Sequence, residues 1–179
     1  MKVPAVRVRP SDVPLLERRA RALASGKAEI VEEAERLGLI AFRLGGRPCA
    51  VEARAVERAV PRLGRLVAVP LSAGGERLVA YVDEMPLPVA DLACCVGPSR
   101  APEVLALAPA VVLPVPSGRV AVAVEGPLDL LEEALAERSA CGGEGDNPDA
   151  PRLVARLAGG ASLLDADWLA GWAGRNVRS

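Results

Sequence analysis

Hydrophobic and polar side chains alternate from Leu39 to Ala53, on both sides of the pair Gly45-Gly46. Alternation with a period of two is typical of strands that bury one face. Glycine suits a tight hairpin turn because it adopts positive φ without a Cβ clash. Pro48 stands near the start of the second run, where a missing N–H does least harm. The stretch therefore predicts a β-hairpin.

Short apolar runs continue along the chain and predict a mainly β fold with a few short helices. Pro86 and Pro88 remove N–H groups from one side of a run that ends at Asp91, so that side is expected to be a sheet edge. The other predicted strands are Leu66 to Leu71, Leu78 to Val82, Ala110 to Val115, Arg119 to Glu125, Arg152 to Leu157 and Ala161 to Leu164.

Helical spacing of apolar residues occurs near both chain ends. Leu16 to Ala24 and Ile30 to Leu37 predict two amphipathic helices, which would either cap the β-domain or dock on a partner helix. Asp165 or Asp167 is expected to cap a final helix in which Leu169 and Trp172 share a face.

Two segments in the middle of the chain also carry helical spacing. Arg54 to Val60 predicts one or two helical turns, ended by Pro61. Pro127 to Arg138 fits either a helix or a strand. Ser139 to Pro151 is polar and Gly-rich, which is typical of a flexible loop.

Composition and charge narrow the classes of function. The chain is 51% hydrophobic but holds only four Phe, Trp and Tyr residues, so Val, Leu and Ala must fill its core. Its 22 basic and 23 acidic residues nearly cancel, which argues against a nucleic-acid binder. Its longest uncharged run, Val104 to Gly118, is shorter than a membrane helix needs and carries prolines. With no secretory pattern at residues 1–10, we expect a cytoplasmic protein without membrane insertion.

Candidate chemistry is sparse. The chain has no histidine, which removes the commonest general base and metal ligand. Cys49, Cys94, Cys95 and Cys141 form no spaced pairs and are predicted to be reduced thiols. Adjacent acids such as Glu132-Glu133 point to different helix faces and are expected to be solvated. We therefore predict no catalytic residue, no metal site and no cofactor.

Four stretches follow one another along the chain: IAFRLGGRPCAVEARAVERAV (Ile40 to Val60), PLPVADLACCVG (Pro86 to Gly97), VVLPVPSGRVAVAVEGPLDLL (Val111 to Leu131) and RLAGGASLLDADWLA (Arg156 to Ala170). No single stretch is specific, since each is a strand pattern, but their order is. Together they resemble the CheW-like domain family of bacterial chemosensory systems.

The resemblance implies two SH3-like five-stranded β-barrels with a groove between them. Residues 39–172 would form this domain, with lobes at about 39–97 plus the chain end and at about 98–157. Residues 1–38 would be an N-terminal helical extension, and residues 173–179 a C-terminal tail. Asp91, in the family's Pro-x-Val-Asp-Leu position, is expected to satisfy a local turn or backbone N–H.

The resemblance further implies a non-enzymatic adaptor that links a chemoreceptor helical tip to a CheA-type histidine kinase. The family's Asn-Leu-Arg-Gly motif is replaced here by Tyr81 to Glu84, which suggests a dedicated, divergent partner because the charge at an interface is reversed. The pattern assigns partner contact to Val56, Val60, Leu63, Val67, Tyr81, Val82 and Asp83. Alternatives are an SH3-like interaction module outside chemotaxis, whose N-terminal helices fill its own groove, or a small carboxylate-dependent enzyme.

Overall fold

The computed structural model describes residues 36–72, 74–134, 147–157 and 159–177. The predicted helix at Leu16 to Ala24 lies outside these residues, as do residues 139–146 of the predicted loop. Of the second predicted helix, Arg36 and Leu37 are described, and both belong to a strand instead. No helix in the described ranges is long and apolar enough to span a membrane.

Strands dominate the described residues, as predicted. The strands are β1 (Arg36–Leu44), β2 (Arg47–Glu52), β3 (Arg58–Val60), β4 (Leu66–Pro70), β5 (Glu76–Val82), β6 (Met85–Asp91), β7 (Ala110–Val115), β8 (Gly118–Ala123), β9 (Glu125–Ala134), β10 (Leu153–Arg156) and β11 (Ser162–Leu164). The helices are α1 (Pro102–Leu107) and α2 (Ala166–Asn176), with short 3-10 segments at Ala53–Ala55 and Leu92–Cys95.

The predicted hairpin is the pair β1–β2, in which Phe42 lies opposite Cys49. Gly45 and Gly46 have φ of 58° and 73°, so both turn positions need the left-handed conformation that glycine tolerates. The second predicted hairpin is β7–β8, in which Val111 lies opposite Val122.

The strands form two sheets. The first has five strands in the order β10-β11-β2-β1-β9, and the second has six in the order β3-β7-β8-β6-β5-β4. The pairs β11–β2 and β6–β8 are parallel, and the others are antiparallel. Neither sheet closes on itself within the described ranges, so closed barrels are not confirmed.

Three hydrophobic clusters fill the described fold. The largest, here called the shared core, joins the two sheets and α2, and includes Phe42, Val122 and Trp172. A second cluster, around Leu87 and Val112, packs on the other face of the second sheet. A third packs on the other face of the first sheet. Each sheet therefore has an apolar cluster on both faces.

Helix α2 begins where the sequence predicts. Asp165 caps it, because its Oδ1 accepts the backbone N–H groups of Asp167 at 2.9 Å and Trp168 at 3.1 Å. Trp168 and Trp172 are 8% and 2% exposed and their rings stack with centroids 6.2 Å apart. Both tryptophans therefore belong to the core and are not exposed anchors.

Several predicted elements differ from the structure. Arg54 to Val60 is not helical beyond the 3-10 segment, because Arg58–Val60 pairs with β7 as a strand. Pro127 to Arg138 is a strand as far as Ala134, because β9 pairs along β1. Pro86 and Pro88 lie in β6, an interior strand of the sheet, but their segment pairs only with β5 among the described strands, because β8 joins from Val89 onward; the other side of the proline segment is therefore an edge, as predicted.

The first sheet is built from strands that are not consecutive in the chain, and the lobes at about 39–97 plus the chain end and at about 98–157 remain a prediction. Strands β3 to β8 form the second sheet, whereas the first takes β1 and β2 together with β9 to β11. The reason is that β1 takes β9 as a partner, so the chain passes between sheets after Glu52 and again after Ala123. The domain bounds 39–172 remain a prediction.

Candidate protein-docking surface

One face of the second sheet is covered at one end and open at the other. Val122 lies opposite Val111 on β7 and Ala90 on β6, and all three face the shared core. Pro88 is two residues before Ala90 and so lies on the same face. It is opposite Val79 on β5, which is opposite Val67 on β4. The core-forming face therefore continues across β5 and β4, where none of the core clusters formed by the described residues includes it.

We call this uncovered part the open face. A second cross-strand pair, Tyr81 with Pro86, lies beside the row from Pro88 to Val67. The side chains of Tyr81 and Val69 are 57% and 41% exposed. A contiguous apolar surface of this kind marks interaction sites more often than isolated exposed residues do. The open face consists of Val67, Val69, Val79, Tyr81, Pro86 and Pro88.

A groove borders the open face where β6 and β8 separate. The two strands pair only from Val89 and Ala121 onward. Before that point Pro86 and Pro88 have no N–H to donate, so a continuous ladder to β8 cannot form there. The resulting groove has a volume of about 840 Å³ and is lined mostly by Met85 to Pro88 and by the β7–β8 turn.

Charged groups stand at the margins of this groove. At one margin Arg119 donates from Nε to Oε2 of Glu57 at 2.6 Å, and its Nη1 lies 3.7 Å from Sδ of Met85. Arg77 and Val177 also line the groove. An ion pair beside apolar walls is the arrangement found at the rims of protein interfaces.

The β5–β6 turn, at Asp83 and Glu84, adjoins the open face. Asp83 and Glu84 have φ of 48° and 66°, so both central turn residues are left-handed, as in a type I′ hairpin turn. The carboxylate of Asp83 forms an ion pair with Arg58 on β3. The turn therefore presents acidic groups at the end of the open face, one of them paired.

The structure separates the seven residues that the sequence assigned to partner contact. Val67 and Tyr81 lie on the open face, and Asp83 is exposed on the adjoining turn. Leu63 and Val82 are 3% and 6% exposed within the second core cluster. Val56 packs partly buried against the shared core and Val60 against the second cluster.

Four residues of the open face were missed from the sequence. Val79 is two residues before Tyr81 on β5, so the two side chains lie on the same face of the strand. This spacing could have identified Val79 from the sequence. Pro86 and Pro88 were interpreted as edge markers, although their rings also supply apolar surface. Val69 shares the parity of Val67 on the same strand.

The described residues offer little reactive chemistry. No group of three or more His, Cys, Asp or Glu among them could hold a metal ion. Burial raises the pKa of the Cys49 thiol, and burial followed by the charge of Cys94 raises the pKa of Cys95 to about 12. Both thiols therefore stay protonated and weakly nucleophilic near neutral pH.

Comparison with known proteins gives similarity at the level of structure alone. No model of a known protein family matches the chain. A search of curated proteins also gives no match. Among solved structures, the fold is similar to the scaffolding protein TtCheW from Thermoanaerobacter tengcongensis, with a TM-score of 0.49 and 10% sequence identity. The similarity covers 73% of this chain and 89% of that protein. These values are too low to assign a family.

Proposed function

We propose that this chain is a non-enzymatic adaptor that holds protein partners on its open face. The observation that carries the proposal is the sheet face that leaves the shared core and continues uncovered through Pro88, Val79 and Val67. Burying such a surface against a partner is favourable in proportion to the apolar area removed from water. The groove beside it would receive a helix or an extended segment.

Tyr81 is the residue expected to contribute most to binding. It is 57% exposed and lies opposite Pro86, at the end of the open face next to the β5–β6 turn. Tyrosine is enriched among residues that dominate binding energy, because it buries a large ring at low entropic cost and offers a hydroxyl. Val67 would pack beside it, whereas Leu63 and Val82 would support the same sheet from its opposite face.

The pathway we propose is bacterial chemosensory signalling, in the cytoplasm. The sequence resemblance to CheW-like domains supports it, since the four matching stretches include β1–β2, β6, β7–β8 and α2. Two sheets that share one hydrophobic core also agree with the arrangement that the resemblance implies. The partners would be a CheA-type histidine kinase and a chemoreceptor helical tip, or a divergent partner in place of either.

The β5–β6 turn favours a dedicated partner. Asp83 stands where the family has a basic residue, and it is already paired with Arg58. A partner selected for a basic turn would meet repulsion or lose an ion pair here. For the same reason an interaction module outside chemotaxis is the second candidate, and it would use the same open face.

A carboxylate-dependent enzyme is poorly supported by the described residues. Asp91 is the one buried acid among them, and its oxygens are engaged by Arg100 and by backbone N–H groups. A general base needs a free lone pair in reach of substrate. These contacts instead give Asp91 a role in stabilising the fold.

The test is a binding measurement with two purified partners. The regulatory domain of a CheA-type kinase and a receptor-tip fragment, both from the same cells, would be titrated separately into the full chain by calorimetry. We expect one of them to bind, and we expect Tyr81→Ala and Val79→Asp each to weaken binding about tenfold or more, since an apolar contact with the partner is lost.

A matched control is available on the other sheet. Leu130 is 76% exposed on β9, so Leu130→Asp adds a charge to an apolar surface position away from the open face. We expect the Leu130→Asp variant to bind the partner with the same affinity as the unmodified chain. Melting temperatures would confirm that all variants fold. Failure of both partners to bind would remove the chemosensory assignment. If Leu130→Asp weakened partner binding as much as Tyr81→Ala and Val79→Asp do, the open face would not be the interface.

A further inference from the structure

Arg77 holds an uncommitted guanidinium beside the groove. Its Nε is buried and has no hydrogen-bond partner. Among the side-chain nitrogen and oxygen atoms of the described residues, it is the only buried atom without one. Buried polar groups in folded proteins are nearly always paired, so an exception calls for an explanation. A ligand that supplies the missing acceptor is one such explanation.

Comparison with other arginines sharpens the contrast. The Nε of Arg100 donates to Oδ1 of Asp91 at 2.8 Å, and the Nε of Arg119 donates to Glu57 at 2.6 Å. The partly buried Arg100 and the exposed Arg119 therefore each have a carboxylate of their own. Arg77 is also partly buried but has no such carboxylate among the described residues.

Arg77 stands at the junction of two concave spaces. It lines the 840 Å³ groove, and together with Val177 it also lines an adjoining cavity of about 220 Å³. The groove walls near it are Pro86, Leu87 and Pro88, which contribute carbon surface. The second cation of the groove, Arg119, is already neutralised by Glu57. An incoming anion would therefore be directed to Arg77.

The charges around Arg77 favour a singly charged anion. Glu76 and Asp91 line the adjoining cavity, and Asp91 is engaged by Arg100. A phosphate dianion would be repelled by Glu76 and would require more than one guanidinium. A carboxylate instead matches a single guanidinium fork and accepts two parallel hydrogen bonds from it.

We propose that the groove binds an apolar segment of the protein partner that carries an Asp or Glu side chain, whose carboxylate pairs with Arg77. Because Nε is buried in the free chain, this pairing requires the Arg77 side chain to rotate until Nε and one Nη face the groove. Apolar neighbours of the acid pack on the proline walls. This inference names the chemistry of the partner segment and so rests on the proposed docking function, but the site itself is testable without the partner.

The test uses two blocked tripeptides of equal shape, acetyl-Leu-Glu-Leu-amide and acetyl-Leu-Gln-Leu-amide. Each is titrated into the full chain at constant ionic strength, and the Nε–H resonances of Arg77, Arg100 and Arg119 are followed by NMR. Arg77→Lys identifies the Arg77 resonance by its loss. We expect the Glu peptide to shift the Arg77 resonance saturably and to bind about tenfold tighter than the Gln peptide.

Two matched variants test whether Arg77 causes the preference for the Glu peptide over the Gln peptide. Arg77→Gln should remove the difference between the peptides, whereas Arg65→Gln, which deletes an exposed positive charge before β4, should retain it. Equal binding of the two peptides, or equal shifts at all three arginines, would overturn the site. So would a larger saturable shift with inorganic phosphate at the same anion concentration.

The outcome is separable from that of the adaptor proposal. If the Glu peptide binds at Arg77 but neither the kinase domain nor the receptor fragment binds the chain, the carboxylate site stands and the chemosensory partners are wrong. If a partner binds and Arg77→Gln leaves its affinity unchanged, the adaptor function stands and the carboxylate inference is wrong.

Discussion

Arg100 and Asp91 form a buried ion pair that joins the loop after β6 to the ends of two strands. Nε and Nη2 of Arg100 donate to Oδ1 of Asp91 at 2.8 and 2.5 Å, and the backbone N–H of Arg100 donates to Oδ2 at 2.8 Å. Nη1 donates to the carbonyl oxygen of Val124 at 3.0 Å. The side chain of Asp91 is 5% exposed and that of Arg100 is 17% exposed.

Removing one partner of this pair should be strongly destabilising. Asp91→Ala leaves the Arg100 guanidinium buried without its counter-charge, and we expect the free energy of unfolding to fall by about 3–5 kcal/mol. Urea denaturation measures it. Asp129→Ala, at an exposed acid on β9, is the control and should change stability by less than about 0.5 kcal/mol.

The double variant tests whether Asp91 and Arg100 stabilise the fold as a pair. Asp91→Ala with Arg100→Met removes both charges together, so its loss of stability should be smaller than the sum of the two single losses. A loss for Asp91→Ala close to that of the exposed control would contradict the structural position assigned to Asp91.

A glycine at position 84 in the β5–β6 turn should stabilise the fold. Glu84 occupies a left-handed position that costs a residue with a Cβ, and glycine would relieve this cost at the expense of a more flexible unfolded chain. We expect Glu84→Gly to raise the free energy of unfolding by about 0.5–1 kcal/mol. The same substitution at Glu132, exposed within β9, should lower it. Equal destabilisation at both sites would show that the turn is not type I′.

The cysteines should make stability fall at high pH. Burial, and then the neighbouring Cys94, raise the pKa of Cys95 from 9.0 to about 12. Between these two values the unfolded chain loses the proton while the folded chain keeps it. The contribution of Cys95 is therefore complete below pH 9.0 and is lost as pH rises toward about 12. Cys49, whose pKa is also raised by burial, adds in the same direction.

Urea denaturation at about pH 8 and about pH 10.5 checks this linkage. Cys95→Ala should lose less stability between the two pH values than the unmodified chain does. In the folded chain near pH 8, iodoacetamide should modify the exposed Cys94 faster than Cys49 or Cys95. An identical loss in the variant would show that Cys95 is not held protonated by the fold.

The sequence was informative where local pattern and tertiary pairing agree. The β1–β2 and β7–β8 hairpins follow from alternation and turn residues, and the final helix follows from capping chemistry, although only the structure decides between Asp165 and Asp167 as its cap. Strand β9 could not be decided in this way, because Leu128 and Leu131 also fit a helix. Its pairing along β1, which lies far away in sequence, decides the conformation.

The docking surface was only partly accessible from the sequence. Tyr81 and Val67 were assigned through the family pattern and strand alternation. Arg77 was missed, since a charged residue at alternate strand positions ordinarily indicates the solvent side. Arg77 and Val177, far apart in sequence, line the same cavity only in the folded chain, so the burial of Nε had no signal in the local pattern.

Tyr81 is the only tyrosine in the chain, so it can report on the open face by itself. Incorporation of 3-fluorotyrosine would give one fluorine resonance, from a side chain that is 57% exposed. A separate sample with 5-fluorotryptophan would report on Trp168 and Trp172, which are buried in the shared core.

The most direct measurement is the fluorine spectrum during titration with the partner that binds by calorimetry. If the open face is the docking surface, the Tyr81 resonance shifts or broadens saturably, with the calorimetric affinity, while both tryptophan resonances stay in place. A complex that forms with the Tyr81 resonance unchanged would contradict the account.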